Sequence, residues 1–225
     1  AGSGAGPAAA GAAAADRAVA MVNASFEQHP REALAAMLGM EIAFIYGAHS
    51  LIVASGAHVP AEFAVAFAMG RPLRRLRFPL ELLGAAALCR LVPPLAQVRV
   101  TMAVAGALPQ RLRTSWAANS TLKASSDRLS AVVDKYGAAY FIAARWTGVA
   151  VVLGLYGGIC YGADVSGWLA RYGVEEYGTV LGTWAAAVSS SAALYPVSML
   201  CGAALAPPLA RVTGFVAPAT KTRQG

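Results

Sequence analysis

The residues of this 225-residue chain most capable of specific chemistry are isolated charges set in apolar sequence. Glu81 and Arg90 lie within one apolar run, and Arg145 immediately precedes another. A charge within a membrane-embedded helix is costly, so it usually pairs, contacts a partner or lines a transport path. We interpret these three residues as contacts to a partner subunit or to lipid. A transport path, with an aqueous cavity lined by the same residues, is the alternative.

A basic cluster precedes the run that contains Glu81, and its members are Arg71, Arg74, Arg75 and Arg77. Each basic residue near an anionic surface contributes about 1 kcal/mol to lipid binding. We therefore predict a lipid- or partner-binding site that combines this cluster with Glu81, Arg90 and Arg145. Cardiolipin or another anionic lipid is the expected ligand. A positive flank that only orients a helix is the alternative explanation.

No arrangement in the sequence predicts catalysis. The adjacent carboxylates Glu175 and Glu176 stand in a polar turn, and the triplet Ser189–Ser191 lies in an apolar helix without a base nearby. Acid–base and nucleophilic catalysis both need positioned partners. We therefore predict no catalytic residues, and that the protein is not an enzyme.

Cofactor and metal sites are not predicted either. The cysteines, Cys89, Cys160 and Cys201, form no close pair in the sequence, so neither a disulfide framework nor a zinc site is indicated. His49 lies within an apolar run, where hydrogen bonding inside a helix bundle is the favoured interpretation. Ligation of haem or a pigment is the alternative.

The composition favours a membrane protein. Hydrophobic residues make up 57% of the chain, charged residues 13%, and the mean hydropathy is +0.54. Ordinary soluble domains contain roughly 25% charged residues. The formal net charge is +7, but no basic stripe with interleaved aromatics is present. We therefore predict membrane rather than nucleic-acid partners.

Uncharged stretches over residues 42–61, 146–163 and 177–210 are each long enough to cross a bilayer, which needs about 20 residues. We predict an all-α integral membrane protein of two helical-hairpin halves, with three to four membrane segments and a polar linker between the halves. Residues 61–70 form a short helical run. Pro196 is expected to kink the last segment, and Pro207-Pro208 to end it.

Composition also predicts the domain boundaries. Residues 1–30 are expected to be a flexible Ala/Gly-rich arm, over residues 1–15, and then a short helix from about Asp16 to Phe26. The first membrane half covers 31–108, the linker 109–135, the second half 136–213, and a polar tail 214–225. The low-complexity start without Met suggests that a targeting segment has been removed, as in an organellar protein.

The two halves repeat the same sequence landmarks. Tyr46-Gly47 matches Tyr156-Gly157, and Pro93-Pro94-Leu95-Ala96 matches Pro207-Pro208-Leu209-Ala210. Between these landmarks, Arg77-Phe78-Pro79-Leu80 is echoed by Leu194-Tyr195-Pro196-Val197, and each copy then passes through Gly-Ala-Ala. These matches predict an internal duplication.

Several of these residues resemble the domain of unknown function in the "family with sequence similarity 210" membrane proteins of mitochondria and plastids. Tyr136-Gly137, Tyr156 and Gly162-Ala163-Asp164-Val165 are similar to the start of that domain, and Arg74 through Pro79 to its Arg-x-Pro entry. The resemblance covers residues 41–98 and 136–212. The second half has Leu194-Tyr195-Pro196 instead of Arg-x-Pro, and the first half has His58 in place of the turn Asp. The family implies membrane hairpins and an organellar address, but no established chemistry.

These observations predict a non-catalytic accessory subunit of a large organellar inner-membrane complex, such as the respiratory chain or ATP synthase. Its partners would be other membrane subunits of the complex and the lipid bilayer. A small membrane carrier or channel is the second hypothesis. A photosystem accessory subunit of the chloroplast thylakoid membrane is the third.

Overall fold

The computed structural model describes residues 7–101, 127, 130–162, 164, 167, 170–171 and 175–213, and these contain helices but no strand. The predicted all-α class is therefore confirmed. The α-helices are α1 (Pro7–Gln28), α2 (Pro30–Ala54), α3 (Ala61–Gly70), α4 (Arg74–Leu91), α5 (Ala138–Gly162), α6 (Glu175–Ala193) and α7 (Tyr195–Thr213), and a 3-10 helix covers Pro93–Gln97. The predicted polar tail, and most of the predicted linker, lie outside the described residues.

The first helix starts earlier than the sequence analysis predicts. Helix α1 begins at Pro7 rather than near Asp16, so residues 7–15 are not a flexible arm. Alanine has the highest helix propensity, and proline is favoured in the first turn because its missing N–H is not needed there. Part of the α1 surface is buried, since Val22 and Phe26 are each only 1% exposed. Tertiary packing therefore helps to fix this alanine-rich helix.

Two helices, α2 and α5, are each long and apolar enough to cross a membrane. A third candidate span is the pair α6 and α7, over Tyr177–Ala193 and Tyr195–Thr213, which bends by 67° at Leu194. Helix α3 is apolar but short, with the same bounds that the sequence analysis predicts. The structure thus contains two to three candidate spans, where the sequence predicts three to four membrane segments.

The helices of one half pack mainly against those of the other. Helix α2 packs against α6 and α7, while α5 packs against α3 and α4, and α3 also contacts α6. Each half therefore places its long first helix along the two shorter helices of its counterpart. The separate hairpins predicted for each half are not confirmed, because contacts between halves dominate among the described residues.

The two long helices start at the same end of the bundle. Asn23, in the last part of α1, donates a side-chain hydrogen bond to the Gln97 carbonyl. Gly137, immediately before α5, lies against the Leu95 and Ala96 carbonyls. Gly137 has a φ of 55°, and a Cβ there would lie 2.6 Å from the Leu95 oxygen, so only glycine fits. The 3-10 helix therefore contacts both α1, which leads into α2, and the start of α5.

Many alanines lie at the helix contacts inside the bundle, and many large apolar side chains lie on its outside. Ala33, Ala66, Ala85, Ala187 and Ala206 are fully buried. The exposed side chains include Leu38, Leu51, Leu76, Leu83, Leu153 and Leu181. A water-soluble core has the opposite arrangement, whereas small residues at helix contacts and large apolar residues outside are typical of helices packed in lipid.

The predicted helix stop at Pro207-Pro208 is wrong, because α7 continues through both prolines to Thr213. A proline inside a helix removes the hydrogen bond to the carbonyl four residues earlier, which for Pro207 is the carbonyl of Ala203. That oxygen instead accepts a hydrogen bond of 2.9 Å from the buried Ser25 hydroxyl of α1. A distant side chain therefore replaces the missing backbone donor. The predicted kink near Pro196 is present, at Leu194.

Candidate functional site: charges at two helix breaks

The first helix break separates α3 from α4 at residues 71–73. The chain comes close to α5 at Gly70, where an added Cβ would lie 3.2 Å from a Val152 methyl group. Arg71, Arg74 and Arg75 are exposed at this break, and the Arg71 guanidinium lies 4.9 Å from the centre of the Phe67 ring. No carboxylate of the described residues forms an ion pair with any of these arginines.

The fourth arginine of the cluster is paired. The Nε atom of Arg77 donates a hydrogen bond of 2.9 Å to Oε1 of Glu81, one turn further along α4. Glu81 is only 3% exposed, and the Tyr140 phenol of α5 faces the same carboxylate. The guanidinium reaches α5 at Gly148, where a Cβ would lie 3.2 Å from it. The missing side chain at Gly148 is therefore what accommodates Arg77 between α4 and α5.

The second helix break, at Leu194, carries another ion pair. Arg145 of α5 contacts Glu41 of α2 at 2.6 Å and lies 5.0 Å from the centre of the Tyr195 ring. The neighbouring Trp146 indole donates a hydrogen bond of 3.1 Å to the carbonyl of Ala193, the last residue of α6. A helix end leaves its last carbonyls without helical donors. The indole and the cation–π contact thus stabilise the broken end of α6.

Both breaks lie halfway along the bundle. Gly148 and Val152 flank the midpoint of the 25-residue helix α5, so each is at least about 15 Å from either helix end. Glu41 is likewise near the midpoint of α2, which also has 25 residues. The helix breaks thus place seven charges in the middle part of the bundle. This central charged layer consists of Glu41, Arg71, Arg74, Arg75, Arg77, Glu81 and Arg145.

The structure places six of the seven residues that the sequence analysis selects in the middle part of the bundle, five at the first helix break and Arg145 at the second. The exception is Arg90, which is exposed near the far end of α4. The sequence suggested that Glu81 and Arg145 are isolated charges, but each has an ionic partner in the structure. Glu41 was missed as a site residue. The sequence did contain a feature that could have led to Glu41. Glu41 and Arg145 each immediately precede an uncharged stretch, in corresponding parts of the two halves.

The remaining chemical groups do not converge on a second centre. His49 stacks on Trp184 with ring centres 4.1 Å apart, and Tyr46 packs edge-on against the same indole. Among the described residues, no group of three or more His, Cys, Asp or Glu side chains is placed to hold a metal ion. Two surface depressions, one lined by Arg99 and Asp134 and the other by Glu62 and Cys160, do not include Arg145, Glu81 or Arg90.

Comparison with known proteins adds no relative: no family model, no curated protein and no solved structure matches this chain. The class of protein is therefore defined by the structure alone. It is a helical bundle with candidate membrane spans, built from two intertwined halves and carrying a charged layer at its centre.

Proposed function

We propose that this protein is a non-catalytic, membrane-embedded subunit of a hetero-oligomeric complex, in which it packs against neighbouring membrane subunits. The observation that carries the proposal is the exposure of Arg71, Arg74 and Arg75 at the midpoint of the bundle. Each arginine at the centre of a bilayer costs about 2.5–3.5 kcal/mol, or roughly 8–10 kcal/mol for three. A neighbouring subunit that covers these side chains removes that cost.

The proposed organelle rests on a different argument. The sequence resemblance to mitochondrial and plastid membrane proteins favours an organellar inner membrane, with the respiratory chain or ATP synthase as the parent complex. The thylakoid membrane is the alternative location. Absorption by a bound pigment in the purified native complex would favour the thylakoid. Co-fractionation with mitochondrial inner-membrane markers would favour the mitochondrion.

The subunit proposal is tested by native gel electrophoresis of membranes solubilised in mild detergent, followed by mass spectrometry of the band. We expect the chain to resist extraction with alkaline carbonate and to migrate with a complex many times larger than its own 23.0 kDa. Migration only as a small free species, with the same result in a second mild detergent, would contradict the proposal.

A small carrier is the second candidate, and one observation favours it. Transporters are often built from repeats whose discontinuous helices meet near the membrane centre, and here both helix breaks face the middle of a long helix. A carrier predicts solute flux in liposomes reconstituted with the purified protein, and loss of that flux in Arg145→Ala. Absence of flux for anions, cations and protons alike would count against it.

A further inference from the structure

We propose that the exposed surface around the start of α4 is the docking surface for one acidic transmembrane helix of a partner subunit. The surface, called the arginine face below, combines the three exposed arginines at the helix break, Arg71, Arg74 and Arg75, with Leu76, Leu80 and Leu83 on the side of α4 that faces away from α5. This inference rests on the proposed function and specifies the chemistry and position of the partner. Its carboxylates would pair with the three arginines at the centre of the bundle.

The apolar half of the arginine face has the spacing of a helix-packing seam. Leu76, Leu80 and Leu83 are separated by four and three residues and are 76%, 54% and 68% exposed. Such spacing aligns side chains on one side of a helix, as in the seam of a coiled coil. The same helix turns Glu81 and Ala85 towards α5, where both are buried. Helix α4 thus has one face packed against α5 and one without a partner among the described residues.

No carboxylate of the described residues neutralises the charged half of this surface. Both carboxylates of the central charged layer are engaged, Glu41 by Arg145 and Glu81 by Arg77. Residues 102–126 and 214–225, whose structure is not described, contain no Asp or Glu. Glu62 lies at the other end of α3 from Arg71, about 13 Å away along the helix. Glu175 and Glu176 begin α6, six or seven residues before Gly182, which lies against the Pro60 carbonyl at the far end of α3. The compensating carboxylates are therefore assigned to another molecule.

The height of the arginines favours a protein over a lipid headgroup. They lie level with Gly148 and Val152, at least about 15 Å from either end of α5. The hydrocarbon core of a bilayer is about 30 Å thick. If the bilayer is centred on the midpoint of α5, the headgroup phosphates lie about 15 Å above and below the arginines. An acidic side chain on an adjacent helix can reach the same height directly. Carboxylates within a membrane also need such a partner.

The central test replaces the three arginines by glutamine. Tagged Arg71→Gln/Arg74→Gln/Arg75→Gln is expressed in cells that lack the native chain, and the complex is purified in mild detergent. We expect recovery of the variant in the complex to fall at least about tenfold, because removing one side of a desolvated charge pair weakens association strongly. The triple lysine variant keeps the charge and should restore most of the recovery.

The matched control removes three exposed arginines near the ends of helices, in Arg31→Gln/Arg90→Gln/Arg211→Gln. It carries the same net charge as the test variant and should remain in the complex. Size-exclusion profiles of the isolated chains report whether each variant folds. If the test variant does not fold, Leu80→Ala/Leu83→Ala on the exposed seam is used instead, with Leu205→Ala/Leu209→Ala on the exposed surface of α7 as its control.

A photocrosslinker placed at Leu83 identifies the occupant. We expect a crosslinked peptide from an apolar helix that contains Asp or Glu, and no crosslink to it from the same probe at Leu205. A peptide without an acidic residue would overturn the inference. Full retention of the glutamine variant in the complex would also overturn the inference. Bound anionic lipid is then measured by mass spectrometry, and its loss from the variant would identify a lipid headgroup as the ligand of the arginines. If the unaltered protein migrates as a free species, the proposed function itself fails.

Discussion

The two helix breaks occupy equivalent positions in the two halves but differ in chemistry. Counted back from Gly84 and Gly202, Glu81 corresponds to Met199 and Arg77 to Tyr195. This register differs by one residue from the match of Pro79 with Pro196. Each glycine faces the long helix of the other half, Gly84 at Ala143 and Gly202 at Met37. The backbone arrangement is thus shared, while an ion pair in the first half replaces Tyr and Met in the second.

The difference shows that packing and surface chemistry are separable in this fold. The second break is bridged within the chain, since Tyr195 and Trp146 connect it to Arg145 and to the end of α6. The first break leaves three arginines exposed. Because a Tyr and a Met occupy the corresponding positions at the second break, the shared backbone arrangement does not require the Arg77–Glu81 ion pair. The exposed arginines of the first break form no ion pair with a carboxylate of the described residues.

The largest effect on the free energy of unfolding is expected from Glu81→Met, which gives the first half the residue that the second half has at the corresponding position, Met199. The substitution leaves the Arg77 guanidinium, whose side chain is only 19% exposed, without its carboxylate. We expect the free energy of unfolding to fall by about 3–5 kcal/mol, as when one partner of a buried ion pair is removed. Thermal or denaturant unfolding in detergent measures the change.

The matched double variant, Arg77→Tyr/Glu81→Met, carries both residues of the second half. Most of the lost stability should return, because no buried charge is then left unpaired. If the losses of the two single variants simply add in the double variant, the two residues are not coupled and the comparison fails.

The next largest effect separates the two glycines. A Cβ on Gly202 would lie 2.9 Å from the backbone N and Cα of Met37, whereas one on Gly84 would lie 3.3 Å from the Ala143 Cβ. We expect Gly202→Ala to lower the free energy of unfolding by about 1–3 kcal/mol through overpacking. Unfolding in detergent provides the measurement.

Gly84→Ala serves as the control for that substitution. Its closer contact is a side-chain methyl group rather than backbone, and alanine has a helix propensity up to about 1 kcal/mol better than glycine. We expect a change near zero. Equal destabilisation by both substitutions would show that the two halves pack with the same tolerance.

An effect of similar size concerns the Pro-Pro pair, which follows the end of α4 in the first half but lies inside α7 in the second. Ser25→Ala removes the hydroxyl that donates to the Ala203 carbonyl. A buried carbonyl left without a donor costs about 1–3 kcal/mol, so we expect a loss in that range in thermal unfolding. In a Pro207→Ala background the backbone donor returns, and the Ser25→Ala loss should largely vanish. An undiminished loss there would assign Ser25 a different role.

The smallest effect concerns the end of α6. Trp146→Phe removes the indole N–H that donates to the Ala193 carbonyl, while most of the ring surface remains. We expect a loss of about 0.5–1.5 kcal/mol, the usual net contribution of one hydrogen bond. Trp184→Phe, at the ring that stacks on His49, is the control for loss of an indole. A larger loss in the control would mean that ring packing, not the helix end, governs this region.

Local sequence signals were sufficient for several elements. The short helix Ala61–Gly70 has the predicted bounds, because Pro60 precedes it and an arginine-proline turn follows. The bend near Pro196 was also predicted, since proline removes a helical hydrogen bond. The continuation of α7 through Pro207 was not predictable, because the replacement donor, Ser25, lies 178 residues away from its acceptor Ala203.

The candidate site divides in the same way. The types and spacing of its residues in the sequence were enough to select the arginine cluster, Glu81 and Arg145, because charges stand out in apolar sequence. The pairing of Arg145 with Glu41 depends on how α5 packs beside α2, and pairing across more than 100 residues leaves no local pattern. Arg90 was selected by the same criterion as Glu81, yet its position along α4 places it away from the central charged layer.

The sequence by itself determined the helical class, the apolar character and the repeated landmarks, because each depends on residue type and short-range spacing. Only the tertiary structure decided that the two halves intertwine and that both helix breaks lie at the middle of the bundle. It also decided which charges are neutralised within the chain. Coulombic pairing depends on distances between atoms, and those distances are set by the close approach of helices at Gly70, Gly148 and Gly202.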